Sequence, residues 1–404
     1  MSPDPGREGW LNRTTLGISL ASLFSDVSHE LATAVLPAFL LTLGAGPAAL
    51  GWIEGSADGL SAVAKLWGGV AADRVRRRKP LASVGYLVTA VGIAAIGLCT
   101  AAWQVLVCRV VAWIGRGSRS PARDVLMAEG APPATHGRAF GMERAADAAG
   151  AVLGPLLAML LLARGVEPRH LVLVSLAPGL LAFLSIAWLV VEEPRATRRA
   201  RFSLRGELAG TGRGFRTYLI GVLVFGAGDF SRTLLILYAT EHIVGSLLSL
   251  KGAAAAVALY VLHNAVSAGA AFPLGALADR VGHRSVIVGG YLLAVATTLG
   301  FVLAPPTPFW LVVLFVASGV YIASEEVAEK SYAASLLPRD RRGAGMGLLA
   351  ATNGVGDMFS SALVGTLWSF VPDPAWGFGA AACLQLLGAL TIAATGPGKS
   401  VAVS

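Results

Sequence analysis

The sequence predicts an all-α membrane protein with twelve transmembrane helices in two pseudo-symmetric six-helix bundles. Three observations predict it: a scarcity of charge, a series of span-length apolar stretches, and features that recur across a polar segment near the middle. A soluble domain carries about a quarter charged residues. In these 404 residues the share is 14%, against 55% from the apolar set, with a mean hydropathy of +0.67. Apolar stretches such as 81–102 and 286–305 hold roughly twenty residues each, enough at about 1.5 Å per residue to cross a hydrocarbon core of about 30 Å.

Taken in order, hydropathy places the spans at 14–43, 48–72, 81–100, 103–127, 139–163, 171–191, 217–241, 252–278, 285–303, 309–332, 344–370 and 376–395. No cleavable leader is expected, because residues 1–10 are polar and the first apolar stretch continues to spanning length. The polar stretch 192–216, rich in Arg and Gly, reads as a cytoplasmic linker. It separates an N-terminal half, 1–191, from a C-terminal half, 217–404.

The net charge of +8 follows the topology. Basic residues crowd alternate loops, at 74–79, 116–138, 195–216, 280–284 and 339–342, while the intervening loops hold Arg164, Arg169 and Lys251. The positive-inside rule makes the basic loops and both termini cytoplasmic. The excess therefore calls for no nucleic-acid partner. The cysteines, Cys99, Cys108 and Cys383, lack metal-ligand spacing and read as packing residues.

Two segments recur across the linker at nearly the same offset. Gly69–Arg78 (GVAADRVRRR) parallels Gly275–Arg284 (GALADRVGHR), and Arg138-Ala-Phe-Gly141-Met142 parallels Arg342-Gly-Ala-Gly345-Met346. The second copy of the first segment resembles the G-x-L-A-D-R-x-G-x-R signature of the major facilitator superfamily. The first copy carries Arg76 where glycine is usual. With twelve spans and a central loop, the resemblance covers essentially the whole chain and implies transport by alternating access.

Physically, a carboxylate at a helix end accepts charge-assisted hydrogen bonds from arginines or from a facing helix N-terminus. Such contacts hold one side shut until the halves rock. Asp73, Arg74, Asp279 and Arg280 are the gating candidates on this ground, with Arg76–Lys79 read as a basic anchor. Arg116, Arg119 and Arg123 are spaced for the end of span four. With Asp124, Glu143 and Asp147 as partners, they extend the gating group.

Ionisable residues within a span are costly, which makes each a functional candidate. In span one, Ser22, Asp26, His29, Glu30, Thr33 and Pro37 fall on one helical stripe. Glu54 and Asp58 share a face of span two, where they serve equally as pathway residues or as a structural ion pair with Lys65. Arg109 lies in an apolar run of span four, where the resemblance implies proton coupling.

Gly150-x-x-x-Gly154-Pro155 is similar to a motif associated with antiporters of the superfamily. Asp229 and Arg232 read as an ion pair in span seven, and His263 lies midway along span eight. Glu325 and Glu329 share a stripe of span ten with Tyr321, and Asn353 and Asp357 are weaker candidates in span eleven.

The expected function is a proton-coupled exporter of a small solute, a non-enzymatic monomer without cofactor in a bacterial inner membrane. Protons, the solute and the lipid bilayer are its expected partners. No phosphate-binding loop implies ATP use. A second reading takes nickel or cobalt as the substrate, with Asp26, His29 and Glu30 as candidate ligands. Two segments, Asp26-Val-Ser-His-Glu30 and Arg119–Asp124, are similar to those of nickel-resistance exporters, although no histidine-rich tail follows. A non-transporting membrane sensor is the minor alternative.

Overall fold

The computed structural model describes residues 9–132, 135–192, 212–243, 247, 250, 252–337, 342–371 and 373–394. Most of the expected linker thus lies outside the described residues, as do the side chains of residues 73 and 342–344. The described chain is helical almost throughout. Its helices are α1 (Arg13–Thr42), α2 (Pro47–Arg74), α3 (Lys79–Ile96), α4 (Ala102–Gly130), α5 (His136–Ala163), α6 (Pro168–Val174) and α7 (Leu176–Leu189). There follow α8 (Arg213–Gly226), α9 (Arg232–His242), α10 (Gly252–Val281), α11 (His283–Leu303), α12 (Pro308–Leu336), α13 (Arg342–Phe370) and α14 (Ala375–Ala394).

By length and composition, α3, α5, the α6–α7 pair, α10, α11, α12 and α14 suit membrane crossing. The helices α1, α2, α4 and α13, each with ionisable residues along its length, are not among these seven.

Two of the expected spans are interrupted. The sixth breaks at Ser175, because Pro178 has no N–H for the Val174 carbonyl. The Ser175 carbonyl accepts from the Gly179 N–H at 3.1 Å and also from the Ser28 hydroxyl at 2.7 Å. The seventh, expected as one helix over 217–241, divides into α8 and α9 around Ala227–Ser231. Gly226 and Gly228 weaken the helix there, and other side chains take over the freed backbone groups. Ser360 donates to the Asp229 carbonyl at 2.8 Å, Gln385 to the Gly228 carbonyl at 3.1 Å, and the Ser231 N–H donates to Ser361 Oγ at 3.0 Å. Unwound backbone is tolerated at membrane depth only with such partners.

The chain forms two compact units: Met1–Leu43 with Val63–Arg201, and Gly44–Ala62 with Phe202–Ser404. In the first unit α1 packs on α5 and α7, and α3 packs on α4 and α7. In the second, α8 packs on α13 and α14, and α11 packs on α12 and α14. Counted as spans, one meets five and six, and three meets four and six. Seven likewise meets eleven and twelve, and nine meets ten and twelve. The packing plan repeats at an offset of six spans.

Glycines let backbones close at these contacts. A Cβ on Gly150 would lie 2.9 Å from Asp26 Cβ, and one on Gly154 would lie 2.7 Å from the Val27 carbonyl oxygen. In the second unit, a Cβ on Gly55 of α2 would lie 2.6 Å from the Met358 carbonyl oxygen of α13.

Candidate functional site: two buried polar networks

In the first unit, α4 and α1 face each other through a ladder of polar contacts. Arg109 donates to Thr33 Oγ1 at 3.0 Å and lies over the Trp113 ring, 3.6 Å from its centre. Trp113 in turn meets the His29 ring at 4.7 Å, and His29 Nδ1 stands 3.4 Å from Glu30 Oε1. Arg116 pairs with Asp26 at 3.1 Å, and Arg119 donates to Ser25 Oγ at 2.6 Å. Arg123 ends the ladder, donating to Ser22 Oγ at 3.3 Å and pairing with Glu143 at 2.9 Å. As the α4 number rises the α1 number falls in step, the register of antiparallel helices. The α4 residues recur every three or four positions and so share one face.

Asp26, His29, Arg109, Arg119 and Glu143 are all buried, Arg109 to within 1% of full coverage. Charges this deep persist only with partners. Packing against Gly150 and Gly154 fixes the α1 backbone at Asp26 and Glu30. That motif therefore sits directly behind the acidic stripe.

Arg116 and Arg119, expected to meet Asp124, Glu143 and Asp147, make their close contacts with α1. Arg123 is the residue that contacts Asp124 and Glu143. Asp147 bonds to Arg144 at 3.0 Å and stands within reach of Asp26 and Arg116. The sequence alone misses this turn because spacing along α4 does not say which neighbour its face meets.

The ends of the recurring signature behave as structural locks. Arg78, expected as part of the basic anchor, is buried. It donates to the Ala72 carbonyl at 3.0 Å and pairs with Glu129 at 3.0 Å. Arg284 donates to the Ile392 carbonyl at 3.1 Å and also to the Ala393 carbonyl, closing the end of α14. Gly282 adopts φ +91°, a conformation that favours glycine, where the first copy has Arg76. Arg74, Asp279 and Arg280 are exposed, and the Asp73 side chain lies outside the described residues.

The second unit gathers acids around the α8–α9 break. Glu329, 2% exposed, accepts from Tyr291, and from Asn353 Nδ2 at 2.8 Å. The Tyr218 hydroxyl donates to the Glu329 backbone carbonyl at 3.0 Å. Asp229 lies in the break itself and accepts from the Tyr321 hydroxyl at 3.2 Å. Glu325 and Asp357 lie within electrostatic reach of Asp229, Glu329 and Arg232, and Asp357 also of Asp58.

Asp229 and Arg232 are not one turn apart on a continuous helix. Among the described residues they influence each other electrostatically without forming a close ion pair. Glu54 is buried on α2, and His263 stacks on Tyr260 of its own helix α10.

Asp26, His29 and Glu30 do not converge on one point. Among the described residues no group of three or more His, Cys, Asp or Glu is arranged for a metal ion. Cys99 and Cys108 pack against each other, with sulfurs 3.8 Å apart.

Sequence reasoning missed Tyr86 and Tyr291. Both stand in Gly-Tyr-Leu segments, 85–87 and 290–292, at the offset of the other repeats. Tyr86 lies under the Arg119 guanidinium at 3.7 Å, and Tyr291 donates to Glu329. A buried Tyr in an apolar span is the signal that would have found them.

Comparison with known proteins accords with this architecture. The family model described as Major Facilitator Superfamily matches residues 18–241 and 218–401. An uncharacterized MFS-type transporter of Methanocaldococcus jannaschii is 26% identical over 371 residues, 91% of this chain and 92% of its own length. An uncharacterized protein of Mycobacterium tuberculosis is 26% identical over 370 residues, 90% of this chain and 88% of its own.

Among solved structures, the nucleoside transporter NupG superposes with a TM-score of 0.78 at 14% identity, covering 95% of this chain and 99% of that one. An inward-facing, occupied bacterial homolog of the human lysosomal transporter Spinster gives 0.75 at 16%, covering 98% and 97%. The duplicated packing plan, the recurring loop signature and the family match over nearly the full length have one meaning: this chain is a transporter of the Major Facilitator Superfamily.

Proposed function

We propose that the chain is a proton-coupled exporter of a small cationic solute working by alternating access. The observation that carries this reading is the pair of buried Asp26 with half-buried Arg116, set in a ladder with His29, Glu30 and Arg109. Protonating Asp26 removes the charge that holds Arg116, so proton binding shifts the balance between arrangements of α1 and α4. A ligand moves such an equilibrium only through its difference in affinity for the two states. A proton meets that condition at a carboxylate whose partner arginine is gained or lost.

The second unit supports the choice of a cation. Asp229, Glu325, Glu329 and Asp357 outnumber Arg232 and Lys330 there, an imbalance that favours an organic amine or a divalent metal over an anion. In this reading residues 1–191 and 217–404 are the moving halves, 192–216 links them, and both termini face the cytoplasm of a bacterial inner membrane. Asp73, Arg74, Asp279 and Arg280 form the gate, and the chain acts as a monomer.

The test is transport by purified protein in liposomes holding a pH-sensitive dye. Nickel, cobalt and a panel of organic amines are offered in turn, with and without an imposed pH gradient. At least one cation is expected to move protons in the opposite sense. Flux that ignores the pH gradient for every cation that moves would remove proton coupling. Uptake of anions alone would remove the cationic substrate.

A further inference from the structure

At the basic end of the first unit, where α1 and α3 begin and α7 ends, lies a cavity of about 610 Å³. Its lining has two faces. Arg13, Arg77 and Lys79 supply three cations, while Phe183, Trp188 and Val191 supply an apolar wall. Glu192 also borders it, but its carboxylate is engaged. One oxygen accepts from the Arg78 N–H at 2.5 Å and the other from the Lys79 N–H at 2.9 Å, capping the start of α3. Among the described residues, Arg13 and Arg77 are exposed and neither forms an ion pair.

The frame around the cavity is fixed. Asn12 caps α1, accepting from the Thr14 and Thr15 N–H groups at 3.0 and 3.1 Å. The Val191 N–H donates to Thr14 Oγ1 at 3.1 Å, tying the end of α7 to the start of α1. Beside it Trp188 is 70% exposed, an aromatic ring turned outward at the end of a span. Trp at that level sits among lipid headgroups, and basic residues beside a span attract anionic lipid on the cytoplasmic face.

We propose that this cavity binds the headgroup and upper acyl chain of one anionic phospholipid. The charge calls for a phosphate, and the apolar wall beside it calls for a chain attached to that phosphate. A free inorganic phosphate would satisfy only the cations. A bound lipid would bridge α1, α3 and α7 at Arg77, inside the recurring signature loop. This site is independent of the transported solute.

Native mass spectrometry of the full chain in a neutral detergent tests it, titrating phosphatidylglycerol, phosphatidylcholine or inorganic phosphate. Wild type is expected to retain one phosphatidylglycerol in preference to phosphatidylcholine. Each cation removed is expected to weaken that binding about fivefold, so Arg13→Gln with Arg77→Gln lowers it roughly twenty-five-fold.

Arg13→Lys with Arg77→Lys keeps the charge and is expected to keep most of the binding, which separates loss of charge from misfolding. Arg164→Gln, an exposed cation at the far end of α5, is expected to leave it unchanged. Equal retention of the two lipids would overturn the proposal. So would phosphatidylglycerol binding that survives the double Gln variant, or inorganic phosphate that displaces the lipid.

Discussion

Tyr86 and Tyr291 stand at the same place in the two units, each behind the glycine of a Gly-Tyr-Leu segment, and they meet opposite charges. A Cβ on Gly85 would press on Arg119, 3.4 Å from its Cα, and one on Gly290 would lie 2.7 Å from Ser324 Cβ. The third span of each half therefore touches the fourth at equivalent points. There Tyr86 offers its ring face to a guanidinium, while Tyr291 offers its hydroxyl to the Glu329 carboxylate.

The two tyrosines should respond differently to loss of the hydroxyl. Tyr291→Phe removes a hydrogen bond to a buried charged group and is expected to cost about 1.5–3 kcal/mol. Tyr86→Phe keeps the ring under Arg119, and among the described residues the Tyr86 hydroxyl has no hydrogen-bond partner. Its cost is expected to stay within about 0.5 kcal/mol. Thermal unfolding in detergent compares them, and equal shifts would contradict the distinction.

Asp26 and Arg116 form one unit of charge. Removing Arg116 leaves the buried Asp26 without its close partner, which typically costs about 3–5 kcal/mol. Removing Asp26 is expected to cost less, because Arg116 is half-buried and stands near Asp147. Asp26→Asn with Arg116→Gln is expected to cost clearly less than the sum of the singles. A double-mutant cycle on thermal stability measures the coupling, and additive losses would mean that the pair at 3.1 Å contributes no coupling.

Glycines at the α1–α5 contact should not tolerate side chains. Gly150→Val is expected to cost about 1–3 kcal/mol through overpacking, because its Cβ would lie 2.9 Å from Asp26 Cβ. Gly141, on the same helix, has nothing within 4 Å of an added Cβ. Gly141→Ala is therefore expected to be neutral, or to gain up to about 1 kcal/mol from helix propensity. Unfolding midpoints of the two variants check the pair.

The break between α8 and α9 depends on Gln385. Gln385→Leu leaves the Gly228 carbonyl without its donor and is expected to cost about 1–3 kcal/mol. Cys383→Ala, two residues away and exposed, serves as the control. Hydrogen exchange at residues 227–231 should rise in the first variant and stay level in the second.

What was legible in the sequence follows physical range. Span length, charge scarcity and the recurring loop signature are local or periodic, and they led to the fold. The stripe of Asp26, His29 and Glu30 was visible because helical spacing alone puts them on one face. Their partners were not, since the contact of Arg116 with Asp26 depends on how α4 rotates against α1.

The break at Asp229 was hidden for the same reason. Ser360, Ser361 and Gln385 stabilise it from more than a hundred residues away. Tyr86 and Tyr291 were overlooked because an apolar reading of their spans discounts the single hydroxyl on each.

The most direct test of proton coupling through Asp26 separates gradient-driven transport from exchange. Proteoliposomes loaded with a transported cation are assayed for net flux driven by a pH gradient and for counterflow with no gradient, in wild type and Asp26→Asn. The account predicts that Asp26→Asn loses gradient-driven flux while counterflow persists. Gradient-driven flux at the wild-type rate in Asp26→Asn would contradict it.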